Sequence, residues 1–95
     1  MPRLTDTQIV DALAGLPGWS LSDAGIRKQF DPPTYADAIA ALARVGFEAE
    51  AAQHHPDVAM SWKRITFTLT THDEGGVTEK DIAMARAIEA IMRGR

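Results

Sequence analysis

All three histidines of this chain lie between positions 54 and 72, as the pair His54-His55 and as His72. Histidine is the side chain whose unperturbed pKa lets it give or take a proton near neutral pH. The pair falls at the predicted end of a helix, and His72 falls at the predicted end of a strand. This concentration predicts a proton-transfer site, and three scattered surface histidines are the alternative.

Glu50 precedes His54 by four residues, which makes the two side chains neighbours if both belong to one helix. A carboxylate and the negative end of a helix dipole both favour the protonated imidazole. We therefore expect His54 to be charged for a useful fraction of the time, a property suited to a general acid. The simpler interpretation is a charge pair at a helix end, worth about a few tenths of a kcal/mol.

The other two histidines are expected to differ from His54. Pro56 disfavours helical geometry at His55, so the chain should turn there and point the two neighbours in different directions. Taken alone, His55 suits a structural hydrogen bond. His72 shares the strand parity of the threonines before it, so it should lie on the polar face or at the fraying end of that strand.

Trp62 and Asp81 each admit a structural and a functional interpretation. Trp62 stands beside Lys63-Arg64, a predicted turn, where a purely core tryptophan is less expected than one at an interface or a site. Asp81 completes the capping box Thr78-x-x-Asp81 of a predicted last helix, and it can keep that role while facing a site.

The first third of the chain predicts a helix and a hairpin. The capping box Thr5-x-x-Gln8 opens the helix, and Pro17-Gly18 ends it. Its apolar stripe follows helical spacing: Ile9, Leu13 and Leu16. Two short strands, 19–22 and 25–30, should follow, with Trp19 in the core.

A long Ala-rich helix is predicted from Tyr35, with Thr34 as its N-cap and its end near His54. Its expected buried residues recur at helical spacing: Tyr35, Ile39, Leu42, Val45 and Ala49. One further strand is predicted before Lys63-Arg64 and another after it, because apolar residues alternate with polar ones in both segments. The last helix should bury a stripe at core spacing: Ile82, Ala85, Ile88 and Met92.

The predicted order is therefore α-β-β-α-β-β-α. Short hairpins join antiparallel strands, and helices on one face of such a sheet give a two-layer α+β domain. At 95 residues, the chain is expected to form one domain over positions 1–95. A core of this modest size makes self-association a plausible source of stability.

The composition excludes several classes of function. The net charge is −3 and there is no basic run, so direct nucleic-acid binding is not expected. The chain has no cysteine, which rules out disulfides and thiolate metal sites and suits a cytoplasmic protein. No signal peptide and no membrane-spanning run is expected.

In their order and spacing, these residues resemble the signature of the pterin-4a-carbinolamine dehydratases. The pattern is Glu50-x3-His54-His55-Pro56-x5-Trp62-x9-His72-x8-Asp81. The stretches 62–72 and 75–81 also look like that family, and the resemblance extends from Trp19 to the last helix. It implies a four-stranded antiparallel sheet with three helices on one face, which agrees with the predicted order.

The resemblance also implies a reaction, namely loss of water from 4a-hydroxytetrahydropterin to give quinonoid dihydropterin in tetrahydropterin recycling. No metal or other cofactor is implied. His54 and His72 resemble the acid and base, and His55 resembles a substrate-binding residue of the same catalytic site. Glu50 and Asp81 then resemble orienting carboxylates, and Trp62 resembles a residue in the wall of the site.

The implied partners are the pterin and further copies of the chain, as a homodimer or homotetramer, with a metabolic link to an aromatic amino acid hydroxylase. An alternative is a protein-binding module with a vestigial pterin site, since some members of that family are dimerisation cofactors for a homeodomain transcription factor. A third possibility is a zinc site made by the three histidines, although the turn at Pro56 makes their convergence on one ion awkward.

Overall fold

The computed structural model describes residues 2–94. Three α-helices, one short 3₁₀ turn and four strands follow in the predicted order. The helices are α1 (Asp6–Leu13), α2 (Tyr35–Ala52) and α3 (Glu79–Gly94), and the 3₁₀ turn is His72–Glu74. The strands are β1 (Ser20–Ser22), β2 (Gly25–Phe30), β3 (Asp57–Ser61) and β4 (Arg64–Leu69).

The four strands form one antiparallel sheet in the order β1-β2-β4-β3. Alternate residues of the two central strands, Ile26, Ile65, Phe67 and Leu69, are fully buried on the face that carries the helices. The intervening residues, such as Arg27 and Thr68, lie on the other face. The predicted α+β fold is therefore confirmed, and β3 is one edge of the sheet.

Helix α1 begins with the predicted capping box, in which Thr5 accepts from the backbone N–H of Gln8 and the Gln8 side chain accepts from Thr5. The helix ends at Leu13, three residues before the predicted limit. Leu16 is nevertheless buried, because the turn after the helix folds it into the core. Trp19 is buried as predicted.

The buried face of α2 differs from the prediction in its first half. Val45 and Ala49 are buried as expected, but Tyr35 and Ile39 are 54% and 43% exposed. Their places in the core are taken by two alanines, Ala38 and Ala41. The small side chains let the helix lie close to its neighbours, so hydrophobicity alone indicated the wrong stripe.

The hairpin between β3 and β4 turns one residue earlier than predicted. Ser61 pairs with Arg64, so the two-residue loop is Trp62-Lys63 and Arg64 begins β4. Trp62 has φ of +53°, the left-handed conformation that such loops require at their first position. The buried residues of β4 are still the predicted alternating set, Ile65, Phe67 and Leu69.

Candidate active site

The site lies where two chain connections meet at one end of the sheet. The connection from α2 enters β3 at Asp57, and β4 leaves the sheet toward the 3₁₀ turn at Leu69. Asp57 pairs with Thr68, so the two connections run side by side. Helix α3 also begins here, and it brings Asp81 in its first turn.

The end of α2 determines where the histidine pair points. Gln53 adopts the left-handed conformation with φ of +52°, and its N–H donates to the carbonyls of Ala49 and Glu50. The N–H of His54 then donates to the Ala49 carbonyl at 3.0 Å. This pattern is a helix C-cap, and it carries the chain off the helix axis before His54. The predicted helix end near His54 is therefore correct to within two residues.

His54 binds Asp81, whose carboxylate is fully buried. Nε2 of His54 lies 2.5 Å from Oδ1 of Asp81, and the His54 side chain is 12% exposed. The other carboxylate oxygen, Oδ2, accepts from the Thr71 hydroxyl at 2.8 Å and from the Thr78 backbone N–H at 2.9 Å. Both oxygens of Asp81 are thus engaged, and the carboxylate is fixed relative to β4, α3 and the end of α2.

The hydrogen bonds of the hydroxyl groups around Asp81 all run in one direction. The Thr71 hydroxyl donates to Asp81, so Thr78 is the donor in the 2.9 Å contact between the two threonine hydroxyls. The Thr78 oxygen in turn accepts from the backbone N–H of Lys80 at 3.2 Å. Half of the predicted capping box is present, because the Asp81 side chain accepts from the backbone N–H of Thr78. In the other half, the Thr78 hydroxyl accepts from the backbone N–H of Lys80 instead of that of Asp81.

The same bonding assigns the two ring nitrogens of His54. A carboxylate only accepts hydrogen bonds, so Nε2 of His54 carries the proton that it shares with Asp81. The remaining nitrogen, Nδ1, is a base when the ring is neutral and an acid when the ring is charged. Asp81 therefore orients the imidazole, in the manner of a carboxylate–histidine pair.

Glu50 pairs with His55, which corrects the expectation that it neighbours His54. Nε2 of His55 lies 2.8 Å from Oε1 of Glu50, and both side chains are largely exposed. The left-handed turn at Gln53 is the cause, because it removes His54 from the helical ladder and swings His55 back toward the last turn. The hydrogen bond and charge of His55 hold the pKa of the Glu50 carboxyl below its ordinary value.

His72 begins the 3₁₀ turn and is exposed, as predicted for a residue just beyond a strand end. It follows Thr71 directly, and Thr71 binds Asp81. A bridge between Thr71 and Gly76 closes the turn, with the Thr71 N–H donating to the Gly76 carbonyl at 3.0 Å. The structure therefore joins His54 to Asp81 and Asp81 to Thr71, the residue that precedes His72 in the chain.

Trp62 is not brought to this place within one chain. It lies just beyond the far end of β3, five positions after Asp57, or about 17 Å along the strand. Its side chain is 68% exposed, and its ring is in contact with the Lys63 ammonium at 5.2 Å from the centroid. The family resemblance had implied a place for it in the wall of the site.

Two threonines of the site were not identified as site residues from the sequence. Thr78 was expected only as a helix cap, and Thr71 was one of several threonines at the end of a strand. Their positions relative to Asp81 depend on the 3₁₀ turn, which the sequence did not indicate. A groove of about 190 Å³ adjoins His54 between α2 and α3, and its wall includes Ala52, Lys80 and Met84.

The family model described as pterin 4 alpha carbinolamine dehydratase matches residues 2–91. The chain belongs to this family. A relative from Mycobacterium sp. strain KMS is 47% identical over 92 residues, which cover 97% of this chain and 98% of the relative. Another from Chloroflexus aurantiacus is 48% identical over 92 residues, covering 97% and 99%. Both carry the provisional name pterin-4-alpha-carbinolamine dehydratase.

A solved structure from Brucella melitensis has the same fold. It is described as a transcriptional coactivator/pterin dehydratase, and it superposes with a TM-score of 0.91 at 38% identity. The match covers 95% of this chain and 98% of the Brucella chain.

Within residues 2–94, no three His, Cys, Asp or Glu side chains form a group that could hold a metal ion. The histidines are separated because His54 is turned toward Asp81 and His55 toward Glu50. The three-histidine zinc site considered from the sequence is therefore not formed. No helix in the described part of the chain has the length and apolarity needed to cross a membrane.

Proposed function

We propose that this member of the pterin carbinolamine dehydratase family removes water from 4a-hydroxytetrahydropterin and releases quinonoid dihydropterin. The observation that carries the proposal is the contact of His54 with a fully buried Asp81, beside the chain position of His72. This arrangement supplies a held imidazole, and a second, exposed imidazole follows Thr71, which also binds Asp81. The family match and the relatives' names support the same reaction.

The reaction needs two proton transfers and no change of redox state. The C4a–O bond breaks, and the hydroxyl leaves as water after it accepts a proton from an acid. The N5–H proton goes to a base, and the electrons of that bond form the C4a=N5 double bond. Each positioned acid or base contributes about 10²–10⁴-fold to such a step.

In this proposal, His54 acts through Nδ1, since Nε2 is held by Asp81. Asp81 is a positioning residue, because it is fully buried and acts through His54. His72 is the second proton carrier, and its exposure at the start of the 3₁₀ turn leaves it accessible to substrate. The bonding at Asp81 does not distinguish which of the two histidines is the acid.

His55 and Glu50 form the outer part of the proposed site. Their hydrogen bond keeps the Glu50 carboxylate ionised and the His55 ring oriented. His55 can bind the polar edge of the pterin through Nδ1, because Nε2 is used by Glu50. Glu50 then orients His55, whereas the sequence had suggested that it orients His54.

The proposed enzyme is a homodimer or homotetramer. The outer face of α2 carries three large exposed apolar residues, Tyr35, Ile39 and Phe47, and Phe47 is 78% exposed. Gly46, beside Phe47, has open space where a Cβ would stand. A glycine within an exposed helix lowers stability, and it allows another backbone to approach closely. A second copy packed on α2 would cover this face.

The proposal also includes a cytoplasmic location and a metabolic link to an aromatic amino acid hydroxylase, whose spent pterin is the substrate. A second candidate function is a protein-binding module, favoured by the exposed face of α2 and by the description of the Brucella relative as a coactivator. In that case, the partner would occupy α2 while the histidine site would be inactive.

A turnover assay with synthetic 4a-hydroxytetrahydropterin tests the proposal, with ultraviolet absorbance reporting quinonoid dihydropterin. We expect purified protein to accelerate the loss of water far above the uncatalysed rate. A rate equal to the uncatalysed one would refute the dehydratase. Partner capture by the same preparation, lost in Phe47→Glu, would then favour the binding module.

A further inference from the structure

The N-terminal segment is bonded to the connection that runs from the 3₁₀ turn to α3. The backbone N–H of Leu4 donates to the Val77 carbonyl at 2.8 Å, and Nη1 of Arg3 donates to the Gly75 carbonyl at 3.3 Å. Leu4 packs against the core, and Val77 is buried in it. The backbone is therefore anchored next to the point where the Arg3 side chain leaves it.

Gly75 connects Arg3 to the backbone of His72. Its carbonyl accepts from the Arg3 guanidinium, and its N–H donates to the His72 carbonyl at 3.0 Å. A guanidinium is charged at every pH at which the protein is folded, so this donor is permanent. Two hydrogen bonds thus lead from an N-terminal side chain to the residue proposed as the second proton carrier.

The stem of the Arg3 side chain covers Gly76. A Cβ at Gly76 would stand 2.5 Å from Cδ and 2.9 Å from Cγ of Arg3. The glycines with positive φ are Gly18, Gly25 and Gly75, so Gly76 has no left-handed backbone that would itself require glycine. Arg3, and not backbone strain, is what a side chain at position 76 would meet.

The turn has little support from its own residues. Positions 72–74 bury no side chain. The bonds that close the turn join Thr71 and Gly76 in both directions, at 3.0 and 3.3 Å. Glycine loses more conformational freedom on ordering than any other residue, and two glycines follow each other here. A segment with few buried contacts opens more easily than the core, so a bond from outside contributes to its order.

We propose that Arg3 is a positioning residue for His72. The guanidinium bond to Gly75 and the stem over Gly76 hold the turn from the side of the N-terminal segment, while Thr71 holds its start through Asp81. The inference rests on the proposed function for the role of His72 in catalysis, and on the contacts of Arg3 for the geometry.

Arg3→Met tests the guanidinium, because methionine keeps an apolar stem and loses the donor. We expect kcat to fall on the order of tenfold, since a proton carrier that is held less closely reaches the reacting atom less often. KM and the melting temperature should change little. Arg3→Lys, which retains a charged donor, should lose less than Arg3→Met. Arg86→Met, on the exposed face of α3, is the control and should alter none of these values.

Double variants distinguish positioning of His72 from a general structural role. Arg3→Met should lower the kcat of His54→Ala by the same factor as that of wild type. It should not lower the kcat of His72→Ala, because the residue that Arg3 positions is then absent. Equal losses in the two histidine backgrounds would overturn the proposal.

Gly76→Ala tests the same contact from the other side. The added Cβ should displace the flexible Arg3 stem and lower kcat about as much as loss of the side chain in Arg3→Ala does. Once Arg3 is an alanine, the methyl group has no stem to displace. Arg3→Ala/Gly76→Ala should therefore be no slower than Arg3→Ala, and additive losses would contradict the contact.

Hydrogen exchange tests the support of the turn without reference to turnover. The Gly76 N–H donates to the Thr71 carbonyl, so its exchange reports opening of the turn. Its exchange should be roughly fivefold faster in Arg3→Met, as expected for loss of one hydrogen bond that holds the turn closed. Unchanged exchange would overturn the inference. Faster exchange in a folded protein without turnover would retain the support by Arg3 and remove the proposed function.

Discussion

Asp81 contacts His54 through one carboxylate oxygen at 2.5 Å and Thr71 through the other at 2.8 Å. The carboxylate is fully buried, so it joins the end of α2 to the end of β4 from inside the first turn of α3. A change at Asp81 therefore affects both the proposed proton-transfer residue His54 and the packing of three elements. Variants at this position separate the two effects when activity and stability are measured together.

We expect Asp81→Asn to lower kcat by on the order of 10²-fold, because an amide does not fix Nε2 of His54 as the hydrogen-bond donor. The free energy of unfolding should also fall by about 1–3 kcal/mol, since buried donors lose their acceptor. Steady-state kinetics and urea unfolding measure the two effects. Glu79→Gln, an exposed acid in the same first turn, is the control and should alter neither. Unchanged kcat in Asp81→Asn would exclude the positioning role.

The Glu50–His55 pair predicts a local pH dependence. The pKa of Glu50 is lowered by His55, so the pair contributes stability at pH values above about 4.5, the ordinary pKa of a glutamate. That contribution is lost as the pH falls through the lowered pKa of the folded state. Carbon-13 NMR titration of the Glu50 carboxyl should show a low midpoint, and His55→Ala should return it toward the ordinary value. The same midpoint in both proteins would mean that the pair does not form in solution.

The exposed face of α2 predicts a change in assembly. Phe47→Glu should reduce the mass measured by sedimentation velocity, because a carboxylate cannot be buried without a partner in an apolar interface. The circular dichroism spectrum should be unchanged, since Phe47 is 78% exposed in the single chain. Val10→Glu, at an exposed apolar position of α1, should leave the mass unchanged. Equal masses for wild type and Phe47→Glu would rule out α2 as an interface.

Two glycines differ in what a side chain would meet. At Gly25, with φ of +129°, a Cβ would stand 2.1 Å from the Leu69 carbonyl oxygen, whereas at Gly75, with φ of +73°, it meets open space. Gly75→Ala should therefore cost only the left-handed penalty of about 1–2 kcal/mol. Gly25→Ala should cost more, because β2 and β4 would have to separate next to the site. Urea unfolding compares them, and equal losses would contradict the close approach.

Much of the fold was predictable because it depends on local signals. The capping residue Thr5, the alternation of Ile65, Phe67 and Leu69, and Pro56 after the long helix each act within a few residues. The predictions failed where tertiary packing decides which residues are buried. Tyr35 and Ile39 are exposed because alanines allow closer packing of α2, which no single helix pattern indicates.

The sequence indicated which residues to consider for the candidate site, but not which of them are in contact. His54 and Asp81 were both candidates, but their contact joins residues 27 positions apart across two elements. The left-handed conformation of Gln53 makes His55, instead of His54, the partner of Glu50. Residues other than glycine seldom adopt that conformation, so the sequence did not indicate it. Thr71 was not found, since its role depends on a 3₁₀ turn held by a single bridge.

The most direct test of histidine-based dehydration is the initial rate of water loss from 4a-hydroxytetrahydropterin with wild type, His54→Ala, His72→Ala and the double variant. We expect each single variant to lose on the order of 10²-fold or more in kcat, and the double variant to approach the uncatalysed rate. Circular dichroism should show that all four proteins are folded. Wild-type turnover in a folded double variant would contradict the account, because no proton transfer through these histidines would then be required.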